Sequence, residues 1–244
     1  MIQNIMSSSP SSPQPAPSSS PRKPFYRFMA AKWALKSIET RELRVGRMVE
    51  LNDPFEFLPG IEGLRGDAPL DIVREQQAKF KEDLNPKIGV LSFSSKRGEP
   101  TLWSHYADSH KGIALGFDIV PNSLLLEQVD YPDPPKRPTV HPSNPDPSAL
   151  EAYFHKLMTT KALGWQIESE YRVLVHFDLL NCRCENGDYF LPIMDNTFIL
   201  VEVILGCRCS LDENYVDQTL NHRGFKDVRV VRAKLSIDRF KVEC

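Results

Sequence analysis

The chain has 244 residues, a formal net charge of -2 and 41% hydrophobic residues, which is an ordinary balance for a globular protein. A near-neutral charge gives no bulk attraction to nucleic acid or to anionic membranes, and this argues against a non-specific nucleic-acid coat protein. No stretch reaches the ~18 apolar residues of a membrane helix, and the N-terminus lacks a secretory pattern. Five cysteines do not make a disulfide scaffold, so we expect a cytoplasmic protein with no membrane partner.

Two proline-rich segments organise the chain. Residues 7–24 hold eight serines and six prolines and almost nothing that could enter a core. Such a segment cannot offset its ordering entropy, so we predict a disordered tail over residues 1–24. Seven prolines fall between residues 132 and 147, and this composition predicts a long loop inserted into one domain that spans residues 25–244.

The hydrophobic patterns predict more strands than helices. Strands are predicted over residues 25–28, 43–49, 88–94, 113–117, 170–177, 189–193, 198–205 and 228–235. Helices are predicted over residues 30–40, 69–84, 101–110, 148–163 and 211–222. Asn186-Gly187 indicates a hairpin turn, and Gly112 is typical of a C-terminal helix cap. Because the helices do not alternate strictly with strands, we predict an α+β domain with a mixed, mainly antiparallel sheet and peripheral helices.

The segment LWSHYADSHKG at residues 102–112 is the densest in chemistry-bearing side chains. On a helix, Trp103 and Tyr106 are neighbours. Two aromatic rings on one face either pack into the core or form a platform for a base or a nicotinamide ring. His105 and His110 are five residues apart, which is poor spacing for a metal site on one helix.

The segment NDPFE at residues 52–56 has the composition of a turn. It is either a rigid loop, in which Asn52 or Asp53 bonds its own backbone and Phe55 fills the core, or a strand end where Asp53 or Glu56 faces a cleft. Both interpretations place polar side chains where the chain reverses.

Glu168 and Glu170 stand two residues apart at the start of a predicted strand, so both side chains project from one face. Two like charges side by side are costly unless they are solvated, paired or used. They form either an exposed strand end beside Arg172 or a pair that holds a sugar hydroxyl and stabilises a cationic transition state. Ser92 and Ser94 end a predicted buried strand with hydroxyls, and a strand terminus bonded to loop backbone is the simpler interpretation.

Two Cys-Arg-Cys units, at residues 182–184 and 207–209, could bind zinc with four thiolates, but known zinc sites place two or more residues between paired cysteines. We predict free thiols there and no metal. The sequence also has no P-loop, no GxGxxG after a strand, no GxSxG and no HExxH.

Several segments together resemble one large, mostly bacterial domain-of-unknown-function family. They are FYR at 25–27, NDPFE at 52–56, LSFS at 91–94, WSHYA through HKG at 103–112, VDY at 129–131 and ESEYR at 168–172. The resemblance covers about residues 25–206 and implies a setting in bacterial conflict or stress response. Ser92 departs from many members, which carry Cys before Phe-Ser.

The order of three of these segments also resembles ADP-ribosyltransferase folds of the Arg-Ser-Glu type. Arg27, the Ser92-Phe93-Ser94 segment and the Glu168-Ser169-Glu170 segment occur in that order. The resemblance implies that Arg27 holds a phosphate of NAD, that Ser92 or Ser94 supports the pocket, that Glu170 bonds the ribose hydroxyls and stabilises an oxocarbenium-like centre, and that Glu168 orients the acceptor. The cofactor-binding set is then Arg27, Ser92, Ser94, Trp103, Tyr106, His105, Asn52 and Asp53.

These observations favour an NAD-dependent ADP-ribosyltransferase or NAD glycohydrolase, acting on a nucleotide and an acceptor that the sequence does not identify. Two other hypotheses stay open. The chain could be a non-catalytic recognition module that uses its proline-rich tail and loop. It could also be a metal-dependent nuclease or hydrolase using Asp53, Glu56, His105 and Glu170.

Overall fold

The structure is a computed structural model that describes residues 23–60, 70–120, 124, 126–134, 136–139, 147–194 and 196–244. The predicted disordered tail therefore lies outside the described residues except for Lys23 and Pro24. Part of the predicted proline-rich loop, residues 135 and 140–146, also lies outside them.

The described residues form helices and strands close to the predicted ones. The strands are β1 (Phe25–Met29), β2 (Glu42–Arg47), β3 (Ile88–Ser94), β4 (Ile113–Ile119), β5 (Leu126–Gln128), β6 (Glu170–His176), β7 (Arg183–Glu185), β8 (Asp188–Pro192), β9 (Phe198–Leu205), β10 (Arg229–Arg232), β11 (Lys234–Leu235) and β12 (Val242–Glu243). The helices are α1 (Ala31–Thr40), α2 (Leu70–Leu84), α3 (Pro100–Tyr106), α4 (Pro147–Met158) and α5 (Glu213–His222), with 3₁₀ turns at Met48–Glu50 and Leu163–Glu168.

Most strands belong to one mixed sheet that is mainly antiparallel, as predicted. Its order is β10-β9-β4-β1-β3-β2-β8-β7, with β6 and then β5 added beside β3. Strands β9 and β10 run parallel. The Asn186-Gly187 turn joins β7 to β8 with both residues at positive φ, as its hairpin signal predicted.

The sheet divides at β3. One edge of β3 pairs with β6 along its whole length. The other edge pairs with β2 at Gly89 and Val90 and with β1 at Ser94 alone. Strands β1 and β2 therefore separate along this edge, and we call the gap between them the fork.

Apolar residues fill both faces of the sheet. On one face, buried side chains of β3, β4, β6 and β9 pack with α1 and α5. On the other face, Tyr26 and Trp103 pack with Ala114 and Ile204, which places α3 against β1 and β4. This arrangement holds α3 beside the fork.

Four details differ from the sequence prediction. Helix α3 ends at Tyr106 rather than at residue 110, and Asp108, Ser109 and His110 take positive φ. Gly112 is therefore not a cap. A Cβ there would lie 2.2 Å from the Met29 carbonyl oxygen, so the glycine permits close approach to β1. Helix α4 ends at Met158 rather than 163, and the predicted strand over 228–235 is two strands, β10 and β11, in separate sheets.

Candidate functional site

A cavity of about 270 Å³ occupies the fork, and we call it the fork cavity. Strands β1 and β3 form its floor, and the NDPFE segment, α3 and the 3₁₀ turn before β6 form its sides. Seven of the predicted site residues line it: Arg27, Asn52, Ser92, Ser94, Tyr106, Glu168 and Glu170. Phe28, Leu51, Val90 and Leu102 add apolar surface.

Arg27 bridges the fork. Its Nη1 donates to the Ser92 carbonyl of β3 at 3.4 Å, and its Nη2 donates to the Arg44 carbonyl of β2 at 2.9 Å. Burial, with the nearby Arg44, lowers the pKa of Arg27 to about 10, so the guanidinium still carries its charge at neutral pH. No carboxylate of the described residues lies within 4 Å of it. A guanidinium has five N–H donors, so Arg27 keeps donors for an anionic ligand.

Five charged side chains meet at the other side of the fork cavity and form the buried ionic cluster: Glu56, Lys161, Glu168, Glu170 and Arg172. Each side chain is at most 6% exposed. Lys161 lies at the centre, with its Nζ 2.6 Å from Glu168 Oε2, 3.1 Å from Glu170 Oε2 and 3.4 Å from Glu56 Oε1. Three carboxylates thus face two cations, which leaves one negative charge in excess when all are ionised.

Arg172 ties three segments to this cluster. Its Nε donates to Glu170 Oε1 at 2.8 Å, its Nη1 donates to the Met158 carbonyl at 2.9 Å, and its Nη2 contacts Glu56 closely. Burial alone would raise the pKa of Glu170, but Arg172 and Lys161 outweigh it and lower that pKa to about 2. Burial dominates at Glu56 and raises its pKa despite the same two cations.

Glu168 is bound differently from Glu170. The Tyr106 hydroxyl donates to Glu168 Oε1 at 2.5 Å, and Asn52 Nδ2 donates to the Tyr106 oxygen at 2.9 Å. Burial and the adjacent Glu168 raise the pKa of Tyr106, so this phenol stays a neutral donor. Among the described residues, each Glu168 oxygen accepts one hydrogen bond, whereas Glu170 accepts three from Arg172 and Lys161. Glu168 therefore has more capacity to accept from a ligand.

The local backbone differs from the predicted carboxylate pair on one strand. Glu168 ends the 3₁₀ turn, Ser169 takes a φ of 44°, and Glu170 begins β6. Both carboxylates are buried, so they do not form an exposed strand end. Ser94 explains part of this geometry, because its hydroxyl donates to the Glu168 carbonyl at 2.5 Å and ties the turn to β3.

Three predicted cofactor-binding residues are absent from the lining of the fork cavity. Trp103 is fully buried beneath Phe28 and donates its Nε1 hydrogen to the Arg97 carbonyl at 2.8 Å. Trp103 therefore packs in the core and does not form a platform for a ligand ring. His105 lies exposed on α3. Asp53 lines a separate cavity instead.

The NDPFE segment combines features of both interpretations. Asp53 Oδ1 accepts from the Phe55 backbone N–H at 2.9 Å, as expected of a rigid Asx turn. The prediction that Phe55 fills the core is wrong, because Phe55 is 62% exposed and Phe57 is buried in its place. Glu56 reaches the buried ionic cluster, which agrees with the alternative that this loop faces a cleft.

Lys161 was missed by sequence reasoning. It follows α4 without any local motif, and only the path of the chain brings it to Glu168. The position of Arg172 could have been predicted, because residues 170 and 172 project from the same face of β6. That spacing places a cation directly beside Glu170.

The sequence also raised the hypotheses of a zinc site at the cysteines and of a metal-dependent nuclease site. Among residues that the structure describes, no three His, Cys, Asp or Glu side chains form a group that could hold a metal ion. Glu56 and Glu170, two of the four residues proposed for a nuclease, instead contact Lys161 and Arg172. The cysteines of both Cys-Arg-Cys units are free. Within the described ranges, no helix has the length and apolar character needed to cross a membrane.

Comparisons with protein-family models, with curated proteins and with solved structures gave no match to this chain. The functional argument therefore rests on the side chains around the fork cavity. Two kinds of charge face that one space: a guanidinium without a carboxylate partner among the described residues, and a cluster in which three carboxylates meet two cations.

Proposed function

We propose that the protein binds a nicotinamide dinucleotide, with its nicotinamide riboside half in the fork cavity, and that it breaks the bond between the ribose C1′ and the nicotinamide ring. The observation that carries this proposal is that Arg27 and Glu168 line the same cavity. NAD combines an anionic pyrophosphate with a cationic nicotinamide riboside. A site with a guanidinium at one side and buried carboxylates at the other is complementary to both parts.

Arg27 is the group that binds a phosphate in this proposal. Its remaining N–H donors suit a phosphate oxygen, and its two bonds to backbone carbonyls fix its orientation in advance. The cavity volume of about 270 Å³ lies just below the range of about 300–1,000 Å³ that is typical of small-molecule sites. The fork cavity therefore suits the nicotinamide riboside half rather than a whole dinucleotide.

Glu168 is the proposed catalytic carboxylate, and Glu170 is a positioning residue. This exchanges the roles implied by the ADP-ribosyltransferase resemblance, because Glu168 keeps more capacity to accept hydrogen bonds. When the C1′–N bond breaks, its electron pair leaves with nicotinamide and a positive charge develops at C1′. The negative charge of the cluster stabilises that centre. Water or an acceptor then forms the new bond to C1′, and its proton passes to Glu168.

The direct test measures nicotinamide released from NAD by the full chain and by Glu168→Gln. We expect release by the wild type and a decrease of about 100-fold in the variant, since the amide lacks the charge. Glu185→Gln is the matched control, because Glu185 is an exposed carboxylate paired with Arg183 outside the fork cavity. Its rate should equal that of the wild type.

Two results would contradict the proposal. One is a wild-type protein that neither releases nicotinamide nor binds NAD in calorimetry. The other is a folded Glu168→Gln protein that retains the wild-type rate. Circular dichroism of each variant separates loss of chemistry from loss of structure.

A further inference from the structure

A second and larger cavity, of about 410 Å³, lies beside α1, and we call it the α1 cavity. Trp33, Lys36, Ser37 and Thr40 line one side of it. Their spacing of i, i+3, i+4 and i+7 places them on one stripe of the helix. On the same helix, Ile38 is buried whereas Trp33 is 56% exposed. Trp33 and Lys36 are exposed and Ser37 is buried, so the exposed part of this stripe borders the cavity.

The charges around the α1 cavity leave two cations available. Glu42 is held by Arg183 through two bonds of 2.8 and 2.7 Å, and Asp188 lies 2.7 Å from Arg44. Each arginine also binds a second carboxylate, Glu185 for Arg183 and Glu50 for Arg44. Arg27 and Lys36 also line the cavity, and no carboxylate of the described chain lies within 4 Å of either. An anion between them would gain two charge-assisted contacts.

Trp33 supplies the complementary apolar surface. The exposed indole would gain free energy if a ligand ring covered it, because burial of a large aromatic ring is favourable. Lys32 Nζ lies 4.8 Å from the centre of this ring, which adds a further cation nearby. Aromatic rings beside cations are the combination that stacks a nucleotide base and binds its phosphate.

Arg27 and Phe28 line both the fork cavity and the α1 cavity. A ligand phosphate at Arg27 is therefore within reach of both spaces. We propose that the α1 cavity binds the adenosine diphosphate half of the dinucleotide, with the base against Trp33 and the phosphates between Arg27 and Lys36. This inference rests on the proposed function, and it divides the substrate between two cavities on either side of one guanidinium.

The test uses ADP and nicotinamide riboside as separate probes in calorimetry with the full chain. We expect Lys36→Met to weaken ADP binding about tenfold, because a charge-assisted contact is lost. Trp33→Leu should weaken it by a similar factor. Neither change should alter the affinity for nicotinamide riboside, which has no phosphate. Lys79→Met is the matched control, since Lys79 is an exposed lysine on α2, and it should bind both probes as the wild type does.

The outcomes separate this inference from the proposed function. Nicotinamide release with ADP affinity unaffected by Lys36→Met and Trp33→Leu overturns the α1 cavity as the adenosine site and leaves the chemistry standing. ADP binding that needs Lys36 and Trp33, without nicotinamide release, supports the site and contradicts the cleavage reaction. An ADP affinity below detection in the wild-type protein overturns the inference outright.

Discussion

Two networks in this protein pair buried carboxylates with cations, and they differ in how far the cations are exposed to water. In the Glu202 network, one carboxylate accepts a hydrogen bond from Tyr26 at 2.9 Å and contacts two arginines, Arg97 and Arg229. Those arginines are 41% and 54% exposed, so their charges remain hydrated. In the buried ionic cluster all five charged side chains are at most 6% exposed, and carboxylates outnumber cations.

This difference indicates that the Glu202 network is structural. Glu202 has two arginine partners that remain partly hydrated, so its burial costs little electrostatic free energy. Its contacts join β9 to β1 and β10. Removing an excess negative charge from water costs several kcal/mol. Proteins keep such costly buried charges mainly where the charge serves binding or catalysis, and carboxylates with shifted pKa values concentrate at functional sites. The contrast supports a role for the fork cavity.

The largest expected effect is on stability, from removing one cation of the buried cluster. Arg172→Met leaves Glu56 and Glu170 without their main partner, and we expect the free energy of unfolding to fall by about 3–5 kcal/mol. Arg229→Met should cost less than about 1 kcal/mol because that arginine is half exposed. Urea unfolding of both variants measures the difference. Equal losses would remove the distinction between the two networks.

The next effect is a dependence of stability on pH. Folding lowers the pKa of Glu170 from 4.5 to about 2, so the unfolded chain binds more protons between these values. The stabilisation is complete above pH 4.5 and is lost as the pH falls toward 2. The unfolding free energy of the wild type should exceed that of Glu170→Gln by an amount that shrinks by about 3 kcal/mol over this window.

Glu56→Gln should change the pH dependence of the free energy of unfolding in the opposite direction. Burial raises the pKa of Glu56, so its contribution is present below the unfolded pKa and is lost as the pH rises through the folded pKa. Relative to the wild type, Glu56→Gln should therefore gain stability as the pH rises above the unfolded pKa of 4.5. Parallel pH profiles for the wild type and both variants would contradict the assigned directions.

The smallest expected effect compares two tyrosines. Tyr26→Phe and Tyr106→Phe each remove one hydrogen bond to a buried carboxylate, and each should cost about 1–2 kcal/mol of stability. Both tyrosines line the fork cavity, but Tyr106 binds the proposed catalytic Glu168 and Tyr26 binds Glu202. Tyr106→Phe should therefore weaken NAD binding more than Tyr26→Phe does. Thermal unfolding together with calorimetry checks this pair. An equal loss of NAD affinity in Tyr26→Phe would indicate a general structural effect.

Local patterns in the sequence predicted most helices and strands and several residues that line the fork cavity. The period of apolar residues predicted β3 and β9 with their observed bounds, and Asn186-Gly187 placed a hairpin, because these signals depend on neighbours along the chain. The order of Arg27, Ser92, Ser94 and the glutamates identified side chains that line one cavity. Residue type and order were sufficient there, since adjacent strands bring these positions together.

Tertiary structure decided the rest. Whether Trp103 packs in the core or stacks on a ligand depends on its tertiary neighbours, and here the Phe28 ring of β1 packs against it. Lys161 has no motif, and only the return of the chain after α4 puts its ammonium between Glu168 and Glu170. The division of β3 between β1 and β2, which creates the fork, depends on long-range pairing. Charge balance is likewise a property of several distant segments, and therefore no single stretch of sequence contains it.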